Sequence, residues 1–202
     1  MGLAACCLDR LRTIIAGITL GFLDWRLIEG IRVAAVGKNQ LLEQSLPQLE
    51  QALALLRDRA PRIFRGVQRH LTRILILERG GEFYDHAIRA YMLDGEVLAH
   101  RSSSLIAMAL VHEATHARLC KRGIKSTPES EARIEAICVS AEKALAERLP
   151  DSEALLEGAS SKLSRPWWGA AQRQARIEMQ LESLAVPRWI IRLRRALFRT
   201  RS

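Results

Sequence analysis

The stretch Leu110-Val111-His112-Glu113-Ala114-Thr115-His116 sets two histidines four residues apart, with a glutamate beside the first, inside an otherwise apolar run. Four residues is about one turn, so in a helix both imidazoles lie on one face. Ile106, Ala107, Ala109, Leu110 and Val111 lead into the pattern and mark the helix as mostly buried. Two buried histidines and a buried carboxylate are costly unless something pairs with them. The fold must therefore hold this helix centrally and face it with an element that supplies a partner. One metal ion shared by His112 and His116 is the simplest partner, and the H-E-x-x-H spacing lets Glu113 reach a water on that ion.

The helix is punctuated at both ends. Ser102, Ser103 and Ser104 offer an N-cap, and Gly123 follows the basic last turn of Arg118, Lys121 and Arg122. Pro128-Glu129-Ser130-Glu131 opens the next helix, with proline in its first turn and acids that complement the dipole. That helix is predicted to run to Arg148, before Pro150. Upstream, Ile74-Leu75-Ile76-Leu77 is a short apolar run before Gly80-Gly81 and fits a buried strand. The segments 88–93 and 96–100, joined by Asp94-Gly95, read as a β-hairpin, because both central residues of such a turn need positive φ. A small sheet of about three strands is thus expected before the motif helix.

Farther back, Leu49, Leu53 and Leu56, widened by Ala52 and Leu55, predict a helix over 46–59, and Pro61 starts another through Ile63, Val67 and Leu71. Residues 14–36 read as one or two further helices, ended by Gly37-Lys38-Asn39. The expected fold is α+β and mostly helical. It divides into a helical scaffold over 1–72, the metal-site core over 73–149, and C-terminal helices with a basic amphipathic tail over 150–202.

This order of elements, a small sheet, a hairpin, an H-E-x-x-H helix and then an acid-bearing helix, resembles the zincin metallopeptidases. Within them it looks most like the compact gluzincins, the minigluzincin type found among small bacterial relatives. The resemblance covers 73–149 and implies one zinc ion per chain, held by His112, His116 and a glutamate on the following helix. It also implies that Glu113 acts as general base in hydrolysing peptide bonds. Glu135, 19 residues after His116, lies deeper in its helix and is the preferred third ligand. Glu131, one turn earlier on the same face, is the alternative, and whichever is not the ligand would orient a histidine. The family often carries an acid one turn beyond its ligand glutamate, where this chain has Val139.

Tyr84, His86, Tyr91 and His100 are candidate donors to the tetrahedral oxyanion. By the same resemblance, the strand expected at 96–100 is the edge on which an extended peptide would add. Cys120 and Cys138 flank the site and read as small core residues, with a ligand role for Cys138 as the alternative.

The net charge of +9 is uneven: the last 15 residues, 188–202, hold six arginines and no acid, which leaves +3 for the rest. Arg188, Arg192, Arg195 and Arg199 share one helical face, and Trp189, Ile190, Leu193 and Leu197 another, the composition of a segment that rests on an anionic membrane surface. Aromatic interleaving is too sparse to favour nucleic acid. The apolar run 13–23, at 11 residues, is too short to span a bilayer, which takes about 20, and no convincing cleavage site follows it. Four cysteines without a paired spacing favour a reducing compartment. The expected setting is the cytoplasm, with peripheral membrane contact through the tail. Two other functions compete with peptide hydrolysis: a zincin-like protein that binds or senses metal without catalysis, and a basic membrane-surface module.

Overall fold

The computed structural model describes residues 21, 23–36, 39–78, 81–85, 88–124 and 127–164. Among the described residues a hairpin stands where helix was expected over 26–36: β1 (Arg26–Ile28) pairs antiparallel with β2 (Ile31–Val36). Its two-residue turn is Glu29-Gly30, with φ of 47° and 79°, and the Gln68 side chain donates to the Glu29 carbonyl at 2.7 Å. Positive φ at both positions matches the right-handed twist of the flanking strands. The helical reading of 26–36 fails because a short apolar run looks alike at either period. Only burial separates them: Ile31 and Val33 are enclosed while Arg32 between them is exposed.

Two helices, α1 (Asn39–Arg59) and α2 (Pro61–His70), then cross over to β3 (Arg73–Leu77), which lies parallel to β2. The leucine stripe expected on α1 is buried at Leu49, Leu53 and Leu56. β4 (Phe83–Asp85) runs antiparallel to β5 (Ala90–Asp94), and β5 runs parallel to β3, giving a five-stranded sheet in the order β1-β2-β3-β5-β4. The sheet is therefore larger than the three strands expected, and it extends across residue 73 by the pairing of β2 with β3.

Alternation along the strands divides the sheet into two buried faces. Ile31, Val33, Ile74, Ile76, Tyr91 and Leu93 join the main core under the helices, while Ala34, Leu75, Leu77, Ala90 and Met92 form a smaller cluster on the other side.

The segment after β5 corrects the second hairpin. Asp94-Gly95 is not a turn between strands; residues 95–100 form a short helix, α3 (Gly95–His100). The Asp94 carboxylate accepts from the backbone N–H groups of Glu96 and Val97, at 3.0 and 3.1 Å, and so serves as N-cap. An aspartate before glycine suits a tight turn and a helix start equally, and here capping wins. Replacing Asp94 by alanine is expected to lower stability by about 0.5–2 kcal/mol, readable as a lowered denaturant midpoint with an unchanged m-value.

Three longer helices complete the described chain: α4 (Ser103–Lys121), α5 (Pro128–Ala146) and α6 (Ser152–Ser164). The Ser102 hydroxyl caps α4, Gly123 closes it at φ 78°, and Thr127 with Ser130 forms a capping box for α5. α4 packs against α1, α2 and α5, and α5 against α6, so the motif helix is central as its apolar sequence requires. The molecule is α+β and mostly helical. No helix among the described residues is long and apolar enough to cross a membrane. The expectations for 13–20 and for the tail 188–202 lie outside the described residues, as does His86.

Candidate metal centre

α4 and α5 lie along one another, and the two histidines that α4 turns toward α5 meet carboxylates from it. His112 and His116 bring their Nε2 atoms to 3.1 Å. Glu135 on α5 reaches both, with Oε2 at 3.3 Å from Nε2 of His112 and Oε1 at 3.3 Å from Nε2 of His116. His112, Glu113 and Glu135 are each buried. Burial opposes a charge on Glu135, but the two imidazoles outweigh it and hold the carboxyl down to about 2. Burial likewise disfavours a protonated His112, but contacts with Glu135 and then Glu142 raise it to about 10.

Glu142 is the residue that sequence reading missed. It is fully enclosed, with Oε1 at 2.7 Å from Nδ1 of His112, on the ring edge opposite the one facing Glu135. Its other partner is Lys162 of α6, whose Nζ donates to both carboxylate oxygens at 2.7 and 2.8 Å. Glu142 therefore favours a hydrogen on Nδ1 of His112 and turns Nε2 toward Glu135, the support that metal-bound imidazoles usually have. Seven residues beyond Glu135 is two turns on the same helical face, so spacing could have identified it. The position one turn on, Val139, is core, and its side chain belongs to the main apolar cluster.

Glu113 stands apart from these pairs. It is buried, and its Oε2 has no hydrogen-bond partner. Burial raises its pKa, and the positive character of the two histidines only partly offsets this. A buried carboxylate with an unused oxygen beside two histidines that could hold a metal ion is a candidate for proton exchange.

The other predicted residues divide plainly. Glu131 is buried in the first turn of α5, one turn before Glu135, and the carboxylate that bridges the two imidazoles is that of Glu135. Cys138, one turn after Glu135, is fully buried, and its thiol lies with the donor atoms of His112 and His116 inside 4.8 Å. This group is close enough to hold a metal ion. Burial and then the charges of Glu135 and Glu113 push the Cys138 thiol up, away from the thiolate that ligation needs. The Glu135 carboxylate has an oxygen 3.3 Å from each Nε2 and is held in its ionised form, which favours it over Cys138 as third donor.

Of the oxyanion candidates, Tyr91 is fully enclosed in β5, its hydroxyl has no hydrogen-bond partner among the described residues, and burial, then the charges of Glu82 and Glu113, raise its pKa. Tyr84 lies on β4 on the Cys120 side, its hydroxyl pushed up to about 12 by burial first. His100 is exposed at the end of α3.

A cavity of about 490 Å³ opens beside the centre, with His112, Glu113 and Glu142 in its wall and α6 on its far side. No family model matches this chain, and no curated protein or solved structure matches it.

Proposed function

We propose that this protein is a zinc-dependent metallopeptidase of the compact gluzincin type, with His112, His116 and Glu135 as metal ligands and Glu113 as general base. The observation that carries the reading is the spacing of the three donors. Ligands about 2.0–2.1 Å from a tetrahedral zinc stand about 3.3–3.4 Å apart. Here the two Nε2 atoms stand 3.1 Å apart, and Glu135 offers one oxygen to each, Oε2 at 3.3 Å from His112 and Oε1 at 3.3 Å from His116. Two imidazoles and one carboxylate are also the donor types that a catalytic zinc takes, with one position left for water. A bound zinc supplies Lewis acidity, lowering the pKa of a coordinated water toward about 7 and polarising the substrate carbonyl.

The chain's own residues supply the remainder. Glu113 takes a proton from the attacking water and returns it to the departing amine, a transfer its raised pKa favours. Glu142 and Lys162 hold His112 in one tautomer. The segment 96–100 is helical and offers no edge for a substrate strand. The free sheet edge on this side belongs to β4, which packs against α4 and is short enough that a peptide would add only a few main-chain bonds.

Metal analysis of the purified chain tests the reading. About one zinc per chain is expected, lost in His116→Ala. Because His112 holds its proton to about pH 10 without metal, zinc uptake at pH 7 is expected to release about one proton, visible as buffer-dependent heat in calorimetry. Absence of zinc after reconstitution defeats the proposal. One specific observation favours a second reading, a metal-binding protein without catalysis: the Cys138 thiol beside the two histidines could close the coordination that a catalytic site leaves open.

A further inference from the structure

The cavity beside Glu113 has a composition that selects its occupant. Val97, Leu105, Met108, Leu155 and Ala159 line it, and its two cationic side chains are both already engaged, Arg101 by Glu82 at 2.5 Å and Lys162 by Glu142 at 2.7 Å. An anionic group entering it would find both of these cations taken, whereas an apolar group would leave water for an apolar wall. Val97 and Leu105 are 38% and 44% exposed and so add accessible apolar surface to this wall.

Gly158 on α6 forms part of the same wall, and a Cβ built there meets nothing within 4 Å. The space in front of it is open, and the helix backbone tolerates a side chain at that position. At about 490 Å³ the cavity lies within the range of roughly 300–1,000 Å³ that accommodates ligand-sized groups.

We propose that this cavity receives an uncharged apolar side chain of the peptide substrate, next to the bond that is cut, and that Gly158 sets the size of side chain admitted. The inference rests on the peptidase reading. His112 and Glu113 in the cavity wall place the occupant beside the reacting centre, and α6 carries both the size-setting glycine and the lysine that holds Glu142. Selectivity and the orientation of His112 thus share one helix.

Binding of three small hydroxamates to the zinc-loaded protein, followed by calorimetry, tests this without requiring turnover. Acetohydroxamate engages a zinc site alone. 4-Methylpentanohydroxamate adds an isobutyl arm, and the monohydroxamate of glutaric acid adds a charged arm of similar length. The isobutyl compound is expected to bind about tenfold or more tightly than acetohydroxamate, as burial of a leucine-sized group predicts. The charged compound should show no such gain.

In Gly158→Phe the isobutyl advantage should disappear while acetohydroxamate affinity stays within about twofold, and Gly158→Ala should fall between. Unchanged acetohydroxamate affinity reports that the variant is folded with its centre intact. If acetohydroxamate binds and the isobutyl arm adds nothing, or the advantage survives in Gly158→Phe, the pocket assignment is overturned while the metal centre stands. If none of the three binds although zinc is present, both readings fall.

Discussion

Glu113→Gln is expected to reduce kcat/KM for peptide hydrolysis by about 10²–10⁴-fold while zinc content stays at that of the parent. The two halves of this expectation come from different parts of the geometry. The proposed metal donors are His112, His116 and Glu135, whose facing nitrogen and oxygen atoms lie 3.1–3.3 Å apart, and an amide at position 113 alters none of them. The lost quantity is a basic oxygen, and among the described residues the Oε2 of Glu113 has no hydrogen-bond partner. Glutamine keeps shape and volume, so a fall in turnover reports chemistry rather than packing.

Stability gives an independent check on the same residue. The folded-state pKa of Glu113 is raised, so its contribution is complete below the ordinary carboxylate range and is lost as pH climbs through the raised value. The metal-free glutamine variant should therefore be at least as stable as the parent at neutral pH, by thermal melting. Loss of zinc from Glu113→Gln would recast Glu113 as a ligand, and retention of full activity would remove it from the mechanism.

How much of this arrangement the sequence discloses depends on the range of the interaction involved. His112, Glu113 and His116 are legible because one helical turn fixes their relation without help from the rest of the chain. Glu135 is legible only through what the resemblance to the gluzincins implies, a glutamate on the next helix, and its depth in that helix sets it above Glu131. Strand identity is less legible. Residues 26–36 and 96–100 were each assigned the wrong element, because the first pairs with a strand that follows two intervening helices and the second turns on whether Asp94 caps or bends. β4, at three residues, is too short to show a period.

Glu142 was missed for a different reason. Its meaning lies in Lys162, 20 residues on, and in the ring edge of His112, neither of which a spacing rule reports. The cavity likewise exists only once α6 is laid against α4 and α5.

Glu142→Ala is the substitution from which the largest structural loss is expected. It leaves the Nδ1 of a buried histidine and the Nζ of Lys162 without their carboxylate. Removing one partner of a buried ion pair costs about 3–5 kcal/mol. Lys162 is 37% exposed and can recover part of its solvation in water, so the lower end, about 3 kcal/mol, is the better expectation. Zinc affinity should fall by about 10–100-fold in chelator competition, because the ring of His112 is no longer held in the ligating tautomer. Glu142→Gln retains an acceptor for the Nδ1–H but not the charge, and should fall between the two.

The pH dependence separates this role from general packing. In the metal-free protein the raised His112 contribution is complete below about 6.5 and is lost as pH rises through about 10. The Glu135 contribution, with its carboxyl held at about 2, is complete above the ordinary carboxylate range and is lost as pH falls toward that value, and Glu142 shifts in the same direction. The stability gap between parent and Glu142→Ala should therefore be widest from about pH 5 to 6.5 and narrow as His112 gives up its proton toward pH 10. A gap independent of pH, with unchanged zinc affinity, would mean that Glu142 only fills space; a gap that closes on the alkaline side ties the stability of α5 and α6 to the charge on the first histidine of the motif.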